Sequence, residues 1–178
     1  MLVLVIALAG GLRAGAALGG SIGNLEHVTL RLPWTAVVAL LLQVVAFSPL
    51  SRPLPDMARV IMHVTSYGLL LAFVAANLRR APIVCFGLGV LANTIAIALN
   101  GGYMPASAAA LRFAGLSESS RPHNNSELAG AATQLRFLGD ILAVPHWLPL
   151  ANVFSVGDCL IAIGLAWLVA DGMRRSGG

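Results

Sequence analysis

The sequence predicts an all-α integral membrane helical bundle with four to five transmembrane helices and a partly ordered extracytoplasmic segment. Three observations carry that prediction. Of the 178 residues, 58% are hydrophobic and 10% charged, against about 25% charged in an ordinary soluble domain. The apolar residues form long runs, and a helix needs a run of about 20 to cross a bilayer. The polar residues gather in one stretch, 100–152. Nothing in the length calls for a second unit, so residues 1–178 are expected to form a single membrane domain.

The first expected span, about 1–20, is interrupted by Arg13. It lacks the basic start of a signal peptide and is read as a retained span. Gly11, Gly15 and Gly19 recur every four residues, the small-xxx-small pattern of close helix packing in lipid. The second span, 33–50, opens on Pro33, suited to a first helical turn. The third and fourth, 57–78 and 81–99, are joined by a tight turn holding Arg79 and Arg80. The last, 153–170, has Asp158 as its only charge.

Within 100–152, "NGGYMPAS" is a turn and "SAAALRFAGL" fits a short amphipathic interfacial helix. "SESSRPHNNSE" is a polar tip, and "AVPHWLPLAN" a proline-bounded interfacial turn around Trp147. A structureless loop of this length is unusual, so partial order and a function are expected there.

All eleven basic residues are arginine, and the net charge is +4. Arginines flanking spans suit contact with membrane lipids. A nucleic-acid interface would need a basic stripe, and the sequence has none. Arg13, Arg31, Arg79, Arg80, Arg174 and Arg175 suggest a cytoplasmic side under the positive-inside rule, with the N-terminus and 100–152 outside. Arg52, Arg59, Arg112, Arg121 and Arg136 count the other way. Cys85 and Cys159 lie in apolar runs and are read as buried small hydrophobes. His63, His123 and His146 lack metal-ligand spacing, and neither metal nor cofactor is expected. His63 reads as a satisfied helix-packing histidine and Gln43 as packing glue. His146 is near enough in sequence to approach Asp140. Asn124-Asn125-Ser126 matches a glycosylation sequon that reads as accidental.

The chemistry centres on two Gly-Asp pairs, at 139–140 and 157–158. A carboxylate within a span costs on the order of 2.5–3.5 kcal/mol to insert and so marks a functional candidate. In one continuous helix Asp140 and Asp158 would stand about 27 Å apart. Pro145 and Pro149 favour a turn that returns one acid toward the other. Glycine before each aspartate leaves room for a close backbone or a ligand. Two adjacent carboxylates share a proton, one as acid and one as base toward water. The plainer alternatives are that Asp140 caps a helix or pairs with Arg136, and that Asp158 caps the last span or pairs with an arginine.

"FLGDI" and "FSVGDCLIAIG", with "HWLP" between them, resemble the end of lipoprotein signal peptidase (signal peptidase II). The resemblance implies that Asp140 and Asp158 are a catalytic aspartate pair. "GLGVLANTIA" echoes an earlier motif of that family, with Asn93 at its asparagine. The Asp-Arg that should follow is absent, and Ser155 replaces the asparagine before the second aspartate. "NGGYMPAS" and "SVGD" resemble, over most of the chain, a family of small bacterial integral membrane proteins with no assigned activity, marked by G-G-x-M-P and S-x-G-D. This implies a multi-pass protein of the bacterial inner membrane.

The expected function is a membrane aspartyl hydrolase with Asp140 and Asp158 catalytic, acting on a lipid-embedded or lipidated protein substrate. Asn93, Ser155 and Asn100 are candidate substrate or oxyanion contacts. The competing expectation is a non-enzymatic subunit or assembly factor of a membrane complex. A proton-coupled transporter is disfavoured because no inverted repeat is present.

Overall fold

The computed structural model describes residues 2–46, 48–51, 53–117, 126–149 and 151–175. Its helices are α1 (Leu2–Ala17), α2 (Pro33–Ala46), α3 (Asp56–Ala76), α4 (Ala81–Leu99), α5 (Ala108–Phe113) and α6 (Val156–Arg174). The strands β1 (Met104–Ala106), β2 (Ser126–Leu128), β3 (Leu142–Val144) and β4 (Asn152–Phe154) lie between α4 and α6. The architecture is the all-α bundle expected of a membrane protein.

Three helices, α3, α4 and α6, are long and apolar enough to cross a membrane. The first two expected spans are shorter than their apolar runs, at 16 residues in α1 and 14 in α2. Those lengths reach about 24 and 21 Å, against a hydrocarbon core near 30 Å. Local geometry sets these limits. Gly19, at φ 79°, turns the chain away after α1. Leu32, at φ 51°, precedes Pro33, which starts α2 as its fixed φ favours. Beyond α2, the Ser51 hydroxyl donates to the Ala46 and Ser48 carbonyls. The last helix starts three residues later than its apolar run, because 152–154 pair as a strand and Ser155 caps the helix.

Packed helix pairs run in the order α1–α6–α4–α3–α2. Among the described residues, α1 and α2, the two ends of this row, do not pack on each other to a comparable extent. Glycines set the close approaches. A Cβ at Gly11 would meet the Ala166 backbone, and one at Gly15 would meet Met173, so this face of α1 is occupied by α6. Gly19 is not on that face. Gly164 admits the Phe86 backbone, and Gly87 admits Val74. Large apolar side chains on the outer faces, among them Val5, Ile6, Trp34, Val37 and Leu41, are exposed, as lipid-facing residues are.

The arginine-bearing turns gather at one end. The Arg31 N–H donates to Asn77 Oδ1 (2.9 Å), and Asn77 Nδ2 donates to the Arg31 carbonyl (2.8 Å). Arg80 donates to the Thr29 carbonyl. Asn24 and the Ser21 N–H both donate to the Met173 carbonyl. At the opposite end, the described residues between 100 and 155 fold over the helices. β1 pairs parallel with β2, and β3 antiparallel with β4. α5 stands where the short amphipathic helix was expected, and the exposed Trp147 meets Phe113 edge to face. Arg52, and the polar tip from 118 to 125 with Arg121, His123 and Asn124, lie outside the described residues.

Candidate functional site

The first Gly-Asp pair is built into the segment by backbone pairing. At Gly139 a Cβ would collide with the Pro105 carbonyl oxygen, so glycine lets the two chains touch. The Asp140 N–H then donates to Pro105 O (2.8 Å), and the Ser107 N–H donates to Asp140 O (3.0 Å). β1 thus carries β2 on one edge and Asp140 on the other. The Asp140 side chain is 4% exposed, and its Oδ2 accepts the Ser126 hydroxyl at 2.6 Å.

Burial disfavours the charged carboxylate and pushes the Asp140 pKa up to about 7. The nearby charge of Asp158 adds to the rise, and the Ser126 hydrogen bond opposes it. Arg136 is not the partner of Asp140: its guanidinium donates to the Gly130 carbonyl. The i,i+4 pairing would need a helix, and the chain here is a single 3-10 turn, Arg136–Leu138, followed by extended Gly139.

The second pair opens α6. Ser155 and Asp158 form a capping box: the Asp158 N–H donates to Ser155 Oγ, and the Ser155 N–H donates to Asp158 Oδ2, both at 3.0 Å. Asn93 on α4 closes the network. Its Nδ2 donates to Asp158 Oδ1 (2.9 Å), and its Oδ1 accepts the Ser155 hydroxyl (2.8 Å). A Cβ at Gly157 would run into Asn93 Oδ1, and one at Gly89 would run into the Gly157 carbonyl. Both Asp158 oxygens therefore accept hydrogen bonds from N–H groups.

Two α3 side chains complete the floor. Tyr67 hydrogen-bonds the Asn93 side chain and lies within electrostatic reach of both aspartates. His63 bonds to the Gly102 backbone and meets Tyr67 edge to face, with ring centroids 5.2 Å apart, a satisfied packing histidine. On the same helix, Ser66 accepts Gln43 Nε2 from α2 at 3.0 Å.

Asp140 and Asp158 line one cavity of about 760 Å³, within the roughly 300–1,000 Å³ of small-molecule sites. Ser126, Glu127, His63 and Tyr67 line it too. Asn93 and Ser155 are not among the residues that line the cavity; their side chains bond Asp158 and each other. Asn100 is elsewhere: it exchanges two hydrogen bonds with the Gln134 backbone and pins the segment to the end of α4. The ring of His146 packs on Trp147, and the His146 backbone N–H donates to the Phe113 carbonyl. Cys85 and Cys159 are free thiols. Among the described residues no group of three His, Cys, Asp or Glu side chains could hold a metal.

Ser126, Tyr67 and Glu127 were not singled out from sequence. Ser126 sits at the edge of the polar tip and reaches Asp140 only through the parallel β1–β2 pairing. Tyr67 has a weak sequence signal, as a phenol inside an apolar span.

A profile described as a family of unknown function (DUF5317) matches residues 27–170. No curated protein and no solved structure matches the chain. The chain belongs to the DUF5317 family.

Proposed function

We propose that this member of the DUF5317 family is a membrane-embedded aspartyl hydrolase in which Asp158 is the base and Asp140 the acid. The observation that carries the reading is the contrast between two carboxylates that line one cavity. Asp158 accepts hydrogen bonds from two N–H donors, one on each oxygen. Asp140 is buried, with its pKa pushed up to about 7, which suits a carboxylic acid. Paired titratable groups with opposed environments are how acid and base roles are divided. The resemblance of 137–164 to signal peptidase II supports the same pairing. Asn93 and Ser155 are then positioning residues for Asp158.

In this mechanism Asp158 takes a proton from water as the water oxygen attacks a substrate carbonyl carbon. Asp140 gives its proton to the carbonyl oxygen. The tetrahedral intermediate collapses as the bond to the leaving group breaks. The leaving group departs with the proton from Asp158, and the new carbonyl returns a proton to Asp140. Acid, leaving group and both aspartates emerge balanced. The positive-inside rule gives the arginine-rich end to the cytoplasm and the site to the outer face of a bacterial inner membrane. A competing reading is an assembly subunit that would pack through the glycine face of α1, but α6 already occupies that face.

The test is incubation of the protein in native membranes in oxygen-18 water, followed by mass spectrometry. Label entering a product carboxylate with wild type, and lost with both Asp140→Asn and Asp158→Asn, is expected. Label independent of both aspartates would sink the reading.

A further inference from the structure

Hydrolysis of a carbonyl compound builds negative charge on the carbonyl oxygen, and a donor fixed beside that oxygen is worth about 10²–10³-fold in rate. Asn93, Ser155 and Asn100 are the donors that the sequence suggests, and all three are engaged elsewhere. Asn93 Nδ2 donates to Asp158 Oδ1, and the Ser155 hydroxyl donates to Asn93 Oδ1. Asn100 Nδ2 donates to the Ala96 and Gln134 carbonyls. Polar groups that line the cavity are engaged as well. The Ser126 hydroxyl donates to Asp140 Oδ2, the Ser48 hydroxyl to the Val45 carbonyl, and Gln43 Nε2 to Ser66 Oγ.

Tyr67 on α3 differs. Its ring is fixed, edge to face on His63 and packed with Val90 and Ile97 of α4. It is 7% exposed and lines the cavity. The phenol also hydrogen-bonds the Asn93 side chain. Asn93 has two N–H donors, and Asp158 takes one of them. The second, given to the phenol oxygen, leaves the phenol its own proton to donate. The phenol lies within electrostatic reach of both Asp140 and Asp158, the two groups that flank the reacting carbonyl in the proposed hydrolysis.

We propose that Tyr67 is the oxyanion donor of this site, turned to the cavity by Asn93 and hydrogen-bonding the substrate carbonyl oxygen as Asp140 protonates it. The proposal rests on the hydrolase reading. Tyr67 keeps its proton throughout: Asp140 supplies the proton that moves, and the phenol supplies a hydrogen bond that strengthens as charge develops. In a site shielded from water such a bond counts for more than it does in solution. One asparagine then holds both the base and the donor, which fixes Asp158 and Tyr67 relative to each other.

The test is the rate of oxygen-18 entry into the product carboxylate, in native membranes holding equal amounts of each chain. Tyr67→Phe keeps the ring and removes the donor. It is expected to slow labelling about 10²–10³-fold, lowering the whole pH profile without changing its shape. A residue that merely supports Asn93 and Asp158 would change the shape, because the aspartates set it. Placing 3-fluorotyrosine at position 67 restores a donor, and should return the rate to within severalfold of wild type. Should Tyr67→Phe not fold, 4-fluorophenylalanine there, close in size to tyrosine and without a proton to donate, carries the same expectation. Wild-type labelling by the chain that lacks the donor would overturn the proposal and leave the hydrolase standing. So would a profile of altered shape, or a fluorotyrosine chain as slow as the one without a donor. Wild type with no aspartate-dependent label would remove the hydrolase reading and this role with it.

Discussion

Asn93 on α4 and Asp158 on α6 are joined by a 2.9 Å hydrogen bond at the point where Gly89 and Gly157 bring the two helix backbones together. Removing the asparagine side chain and adding one to the glycine are both expected to destabilise this contact, the first by stranding partners and the second by overpacking. Asn93→Ala leaves Ser155 and Asp158 each short of a partner, and a buried polar group so stranded costs about 1–3 kcal/mol. Gly157→Ala drives a methyl group into Asn93 Oδ1, an overpacking cost of about 1–3 kcal/mol. In the Asn93→Ala background the same glycine substitution should cost less, because its main obstacle is gone. Unfolding midpoints in detergent for the four-member cycle measure this coupling. Additive losses would mean that the contact is not the constraint.

Gly139→Ala should behave as an indirect loss of Asp140. Its backbone, at φ −76° and ψ −173°, suits alanine, so the effect is purely steric, from Cβ against the Pro105 carbonyl. The pairing of Asp140 with β1 is expected to break while the helices persist. Circular dichroism should therefore be unchanged. The oxygen-18 assay should fall as far as it does with Asp140→Asn.

Gly11→Leu should separate α1 from α6, since its Cβ position already touches the Ala166 backbone. The expected loss is about 1–3 kcal/mol or more. Gly10→Leu is the control, because a Cβ there meets nothing within 4 Å. Equal losses at the two positions, read from unfolding midpoints, would refute the packing assignment.

These residues also mark what a sequence can carry. The helices of the bundle follow from apolar run length, and Ser155-x-x-Asp158 is a local capping signal that fixes where α6 begins. The roles of Gly139 and Gly157 follow from close approach, which the glycines announce without saying what approaches. The partner of Asp140 is a different matter. Arg136 is four residues away and looks correct only if the chain is helical. Ser126 is the true partner, brought there by a parallel strand pair that joins residues 104–106 to 126–128. Non-local pairing leaves no periodic trace in so short a strand. The cavity is likewise lined by residues from α1, α2, α3, α4, α6 and the segment between α4 and α6, and no single run of residues encodes that.

The buried acid makes stability depend on pH with a defined sign. The ordinary Asp pKa of 3.8 rises to about 7 at Asp140 in the folded protein. Between those values the folded state holds a proton that the unfolded chain has lost. The contribution is fully present below the unfolded value, shrinks as pH rises, and is gone above about 7. At about 1.4 kcal/mol per unit it is worth on the order of 4 kcal/mol. Other groups titrate too, so the quantity to measure is the difference between wild type and Asp140→Asn across pH 4 to 8. That difference should fall steadily to about pH 7 and then level off. Ser126→Ala removes the hydrogen bond that holds the pKa down, so its window should extend to higher pH. A flat difference across the range would mean that Asp140 is already ionised at pH 4. It could not then supply the proton that the proposed hydrolysis requires.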